Sequence, residues 1–537
     1  MRKIICLIII SATTNILYSQ PFQNVLIDNS YDQGFYPNEP SIVINPKNTN
    51  YLVGGSNLRN FYYSTNSGYN WTRGHLSSTY TVWGDPCVIV DTVGNFYYFH
   101  LVNGTSFIDR MGCQKSTNNG ATWSAGTFWQ HNSPRQQDKE WAAVDWTHGS
   151  RGNWIYVTWT QFDDYGTSNP NDSSRILFTR STDGGLTWLD PGTRLNQLSG
   201  DCLDEDNTVE GAVPAVGPNG EVYVAWAGPK IINSQYGIFF TKSTDGGNTW
   251  LPNNIYVADQ PGGWDYVVQG IYRCNGLPVT CCDVSNGPYR GNIYINWTDQ
   301  AGTADHDVKI TKSTNGGLNW STPLRVNDDP AGHEQFLTWM TIDQSTGYLY
   351  IVFYDRRNYT GDSTDVYIAR STNGGDSFTN IKISESGFPG NAGPFFGDYT
   401  NITAANGKVR PIWARLGNSG NQTSVWTAII DFPVAVENHN KKIPESYTLE
   451  QNFPNPFNPS TTIKFTVPKS GKQLKHVTLK VYDVLGKEIA SLVNEDLSPG
   501  TYRIDWNASD FSSGVYFYKL TSGAGAFSET KKMILSK

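Results

Sequence analysis

The sequence holds no run of lysine or arginine. Its net charge is −8, with acidic and basic residues mixed along the chain, which argues against nucleic acid as a partner. Long hydrophobic stretches are equally scarce. Apart from Ile4–Ile10, nothing approaches the roughly 20 apolar residues of a membrane-spanning helix, so no transmembrane segment is expected. No stretch carries the 3.6-residue apolar period of a long amphipathic helix, which leaves strands as the building element. The cysteines lack the CxxC pairs and histidine spacing of a soft-metal site.

What is present begins with Met1-Arg2-Lys3, an apolar stretch and the small-residue site Tyr18-Ser19-Gln20. That order describes a secretory signal peptide over residues 1–19. Cys6 lies inside the apolar stretch rather than at its end, which argues against a lipoprotein anchor. Six cysteines remain after its removal, an even count that permits disulfides in an exported chain. Cys274 with Cys281 or Cys282 is the expected pair, stapling one long insertion.

Glycine (52) and tryptophan (18) are abundant, a pairing that suits many short strands joined by tight turns. One octet recurs six times: STNSGYNW from Ser64, STNNGATW from Ser116, STDGGLTW from Ser181, STDGGNTW from Ser243, STNGGLNW from Ser313 and STNGGDSF from Ser371. The spacing of about sixty residues is that of a propeller blade or slightly more. Within each octet, Asn or Asp can accept backbone N–H groups, glycine supplies a positive φ, and the aromatic can cap the seam between blades.

An acidic or polar start followed by an apolar strand precedes each octet, as at Glu39, Asp85, Glu140 and Glu210. A seventh copy at Asp398 has no octet after it. Gln23–Asp28 matches the strands that follow the octets, so it is expected to supply the missing outer strand and close the ring. The fold class read here is all-β: a seven-bladed β-propeller over 21–432, with six blades as the alternative. A polar linker (433–446) and a small immunoglobulin-like β-sandwich (447–537) follow.

The octets resemble the Asp boxes (BNR repeats) of sialidases and related propellers, where such turns are structural. The C-terminal segments NPFNPSTTIKF, VYDVLGKE and SSGVYFYKL resemble the type A sorting domain of type IX secretion cargo. That resemblance implies the type IX machinery as a partner and a secreted or cell-surface location.

Loops entering blades three to seven are long and irregular, and the face they form, opposite the octets, is the expected ligand site. The acids Glu39, Asp85, Glu140, Glu210 and Asp398 are read at one register. They either cap strand starts or form a carboxylate ring for Ca²⁺, the one metal that such a ring would suit. Residues that break the repeat include Lys139, Trp264, Asp265, Tyr266, His306, His333, Glu334 and the triplet Asp355-Arg356-Arg357. Glu140, Glu210, Asp265, Glu334 and Asp355 are the candidate catalytic carboxylates. Arg59, Arg356, Arg357, Arg415, Trp264, Tyr266 and His333 are the candidate substrate contacts. Arginines gathered from blades one, six and seven would pair an acidic sugar in two-point fashion. Glu210 before Pro214-Ala215-Val216 resembles the sialidase strand that carries a glutamate, whereas the Arg-Ile-Pro motif expected before the first octet is replaced by Tyr36-Pro37-Asn38-Glu39-Pro40.

Two function classes stay open: a glycan-active enzyme (glycoside hydrolase or polysaccharide lyase) on extracellular acidic polysaccharide, or a propeller that binds glycan or protein without turnover.

Overall fold

The computed structural model describes residues 22–147, 149–300, 305–417, 422–432, 444–468, 475–497, 499–508, 511–522 and 527–537. The signal-peptide reading and most of the linker lie outside these. The described residues form strands and no helix, and so none that is long and apolar enough to cross a membrane.

Seven antiparallel sheets succeed one another along the chain, six with four strands in consecutive order and the seventh with three consecutive strands, an outer strand from elsewhere in the chain and one added short pairing. Their first strands are Ser41–Ile44, Thr81–Val90, Gln136–Val144, Glu210–Val216, Val279–Cys282, Gln335–Asp343 and Asn401–Ala405. In the seventh sheet the outer place belongs to Asn24–Asp28, which pairs with Thr423–Ala428 in the register Asn24↔Ala428 and Leu26↔Trp426. The N-terminal strand thus fills the place its sequence suggested, and no sheet of the ring is short of a strand.

The octets explain how neighbouring sheets hold together. Each joins the third strand of its sheet to the fourth, as Ser181–Trp188 joins Ser174–Ser181 to Thr193–Arg194. Within it, the serine hydroxyl accepts the N–H of the second glycine or its equivalent: 2.9 Å for Ser64 and Gly68, 2.8 Å for Ser243 and Gly247. The Asn or Asp carbonyl or carboxylate accepts the N–H four residues on, at 3.0 Å for Asp183 and Thr187 and 3.1 Å for Asn373 and Ser377. Two otherwise orphaned turn donors are satisfied in each copy.

The octet tryptophan then crosses to the sheet before its own. Trp188 stacks on Trp129 (ring centroids 4.3 Å apart) and meets Phe99 edge-on at 5.8 Å. Trp250 meets Phe178 at 4.8 Å and Trp320 meets Phe240 at 5.1 Å. Trp71 packs on Ile42, Ile44, Ile412 and Val425, joining the first sheet to the seventh. The stacked and edge-on aromatic pairs add ring–ring attraction to buried apolar area, while Trp71 contributes apolar burial alone.

The C-terminal unit is two sheets, one of three strands and one of four, around an apolar core that includes Phe465, Val477, Leu479, Tyr518 and Leu520. It forms a compact unit of its own.

All six described cysteines are free thiols, so the expected Cys274 pairing does not form. Cys281 and Cys282 are adjacent on one strand and so point to opposite faces. Cys281 Sγ lies 3.3 Å from the Met340 carbonyl, and Cys282 lies 3.8 Å from that of Asp283.

The octet hydrogen bonds predict that Asp183→Ala, which strips acceptors from Ser181, Leu186 and Thr187, lowers stability by about 1–3 kcal/mol. Urea unfolding checks this, and an unchanged midpoint would contradict the bracing role.

Candidate axial site

Antiparallel order puts the start of every first strand at the end of its sheet opposite the octet. There the sequence does something costly. Glu39, Asp85, Lys139 and Leu337 have φ of 49°, 52°, 53° and 49°, and Gly211 has 73°. Each stands two residues before regular pairing resumes, at Ser41, Cys87, Trp141, Trp339 and Val213. Left-handed backbone at a non-glycine residue costs on the order of 1–3 kcal/mol, and it persists only where the surroundings fix it. The bulge turns the residue beside it toward the axis.

This corrects the register expected for the acids. Glu39 and Asp85 share the bulge position, but in the third sheet that position is Lys139, with Glu140 one residue later. In the fourth it is Gly211, with Glu210 one residue earlier. A lysine therefore stands among carboxylates where a uniform acidic ring was expected.

A pocket opens at this point, lined by Asp85, Lys139, Glu140, Trp141, Gly211–Val213, Asn275, Leu277, Pro278, Leu337–Trp339, Asp398 and Tyr399. These come from first strands, or the loops entering them, in the second to seventh sheets, which places the pocket on the ring axis. Trp141 and Trp339 face each other with centroids 4.2 Å apart, and Tyr399 meets Trp141 at 5.4 Å.

The charges are tightly organised. Lys139 Nζ pairs with Asp398 Oδ2 and stands 3.9 Å from Asp85 Oδ2. Arg273 donates from Nε to Asp398 Oδ1 at 2.9 Å, from a second nitrogen to Asp398 Oδ2, and from its third to Asp204 Oδ2 at 2.9 Å. Tyr165 donates to the same Asp204 oxygen at 2.6 Å. Glu39 accepts from the Asn57 amide and, at 3.0 Å, from the Asp398 N–H. Neither carboxyl oxygen of Glu140, which is 1% exposed, has a hydrogen-bond partner on another residue.

Protonation follows from this arrangement. Burial works against an ionised Asp398, but Lys139 and Arg273 hold its carboxyl below the usual carboxylate range. Burial and then the charge of Glu39 push Asp85 up to about 7, and burial and then Asp398 push Glu39 up to about 7. Glu140 rises well above the usual range through burial and then Asp85. Glu210 does so through burial and then Asp204 and Asp138. An ionised carboxylate, groups poised near neutrality and a neutral acid thus share one small volume, a separation that acid–base chemistry uses.

The other candidate residues fall elsewhere. Asp265 lies at the edge of the acidic group, and burial followed by Asp206 and Asp204 raises it to about 6. Trp264 is core, its indole donating to the Thr208 carbonyl at 3.2 Å. Tyr266 hydrogen-bonds Thr298 at 2.8 Å and stacks on His306, which bonds Glu334 at 2.8 Å. His333 uses its backbone N–H on Asp305 at 3.2 Å. Asp355 is bound by Arg357 at 2.8 Å.

The arginines expected to gather around an acidic sugar do not line this pocket. Arg59 stands 3.7 Å from Asp32, and Arg356 donates to Thr364 at 3.1 Å. Arg357 is taken by Asp355 and Asp328, and Arg415 donates to Ser386 at 3.0 Å. Arg357 is held by acids beside it, whereas Arg59 Nε and one terminal nitrogen of Arg356 are buried without a hydrogen-bond partner, and none of the four lines the axial pocket. For calcium, no three His, Cys, Asp or Glu side chains gather among the described residues as a metal site would need. Lys139 and Arg273 stand where a cation would neutralise the carboxylates.

Comparison with known proteins bears on the tail most directly. Residues 451–536 match the secretion system C-terminal sorting domain. The C-terminal unit carries a sorting signal. The chain is thereby directed through type IX secretion to the cell surface or the extracellular space. No curated protein matches the sequence. Among solved structures, a Trypanosoma rangeli sialidase in complex with the inhibitor DANA is 11% identical, with 86% of this chain and 85% of that one covered and a TM-score of 0.37. An endo-arabinase from Bacteroides thetaiotaomicron is 14% identical, with 57% and 95% covered and a TM-score of 0.28.

Two outcomes follow. Deleting 445–537 should strand the propeller in the periplasm, visible by cell fractionation, and normal release would refute the sorting role. For Glu39 and Asp85, the folded state holds protons at about pH 7 that the unfolded chain releases near pH 4. Their contribution to stability is therefore complete below about pH 4 and lost as pH rises toward about 7. The melting temperature should decline over that window and decline less in Asp85→Asn. Identical slopes in the two proteins would contradict the burial account.

Proposed function

We propose that this is an extracellular glycan-directed propeller whose axial pocket receives a sugar residue and hydrolyses its glycosidic bond. The observation that carries the reading is Glu140, a buried carboxyl without an outside partner, lining the same pocket as Trp141, Trp339 and Tyr399. Aromatic rings offer flat apolar surface to the C–H face of a sugar, while carboxyls address its hydroxyls. Glycoside hydrolysis needs one protonated carboxyl to donate to the leaving oxygen and a second carboxylate to activate water or attack directly. Glu140, held neutral, suits the acid. Asp85, half ionised near neutrality, suits the partner role. Asp398 is less suited, because Lys139 and Arg273 occupy both its oxygens. That same engagement of charged groups favours a second reading, in which the pocket binds a glycan and turns nothing over.

A polysaccharide-digestion screen with the purified protein tests both. Hydrolysis should appear as new reducing ends, rise with pH through about 7 as Asp85 loses its proton, and fall by about 10²–10⁴-fold in Glu140→Gln. Binding without new reducing ends, unaltered in Glu140→Gln, would select the second reading.

A further inference from the structure

The axial pocket has a charge arrangement that reaches past the question of turnover. Lys139 lines it, and Arg273 stands behind its wall, bound to Asp398. All three guanidinium nitrogens of Arg273 that could meet a ligand carboxylate are engaged, two on Asp398 and one on Asp204. Lys139 is held on the same Asp398 oxygen. Facing them are Glu39, Asp85, Asp138, Glu140, Asp204 and Glu210, so carboxyls outnumber cations. Glu140 lines the pocket, 1% exposed, with both oxygens lacking an outside partner. The arginines that might have compensated, Arg59, Arg356, Arg357 and Arg415, do not line the pocket.

From this geometry we propose that the axial pocket selects uncharged sugar residues and excludes uronic and sialic acids, with Asp398 as the residue that sets the choice. The inference rests on the glycan reading above. A carboxylated sugar needs a free cation, best a guanidinium presenting two parallel donors. Here it would have to displace Asp398 from both cations while remaining beside it, and like charges pressed together in a water-poor site repel strongly. A neutral sugar meets no such obstacle. Its hydroxyls can donate to the free oxygens of Glu140 and accept from that carboxyl's proton, and its apolar face can lie on Trp141, Trp339 or Tyr399. Asp398 acts without needing to touch the ligand, because it holds the cations out of reach.

A glycan array carrying matched neutral and carboxylated versions of each backbone, probed with the full secreted protein, tests this. The wild-type protein should bind uncharged members and bind their carboxylated counterparts at least about tenfold more weakly. Affinity should also be nearly indifferent to added NaCl, as no ion pair forms with the ligand. Asp398→Asn, checked for folding by circular dichroism, should free Lys139 and Arg273 and move the ratio at least about tenfold toward the carboxylated members. Equal or tighter wild-type binding of the carboxylated members, or affinity that falls steeply with NaCl, would overturn the proposal even if the variant did not fold. So would an unchanged ratio in folded Asp398→Asn. Wild-type binding to no array member would instead remove the glycan reading on which it stands.

Discussion

The linkage of Asp398 to Lys139 and Arg273 is the interaction on which the axial site depends. It ties the entry to the seventh sheet to a bulge in the third and to the insertion that precedes the fifth. Removing one member of such a buried pair typically costs about 3–5 kcal/mol, because the remaining charge is left without water or partner. Its consequence for the neighbours is equally direct. With both cations committed to Asp398, the other carboxyls on the axis have little to stabilise their charge, and burial raises Glu140 and Glu210 well above their ordinary range. The proton-holding capacity of the pocket is thus a by-product of how one carboxylate is satisfied.

Strain and charge meet at the same residues. Glu39, Asp85 and Lys139 all adopt positive φ, and all three take part in the axial group. A bulge at one register in successive sheets aims successive side chains at a common centre, so the architecture concentrates polar groups there whatever they are. Which groups they are is where individual sheets depart from one another.

Much of the architecture was legible in the sequence, because it is carried by local chemistry repeated many times. The octets announce their own turns, and Gln23–Asp28 could be matched to the strands it resembles. The register of the acids was not legible. It depends on a bulge whose left-handed residue is Glu, Asp, Lys or Leu rather than glycine, so no residue type marks it. Lys139 stood out as a break in the repeat, but its role as counter-ion could not be read from its position alone. Arg273 went unnoticed, although it is the one arginine in the irregular segment Asp259–Pro278 and so carried a usable signal. Arg59, Arg356, Arg357 and Arg415 do not line the axial pocket, although Arg59 and Arg356 each keep a buried nitrogen without a hydrogen-bond partner.

The pairing of Asn24–Asp28 with Thr423–Ala428 has a kinetic meaning. The two partners are about 400 residues apart in sequence, close to the largest separation the propeller allows, and contacts of that range are entropically late. The other six sheets can each form from one continuous stretch of chain, whereas the seventh waits for both ends. Until the first strand returns, the outer side of Thr423–Ala428 lacks the partner it has in the closed ring. That interval is when the chain is most exposed to wrong pairing with another copy of itself.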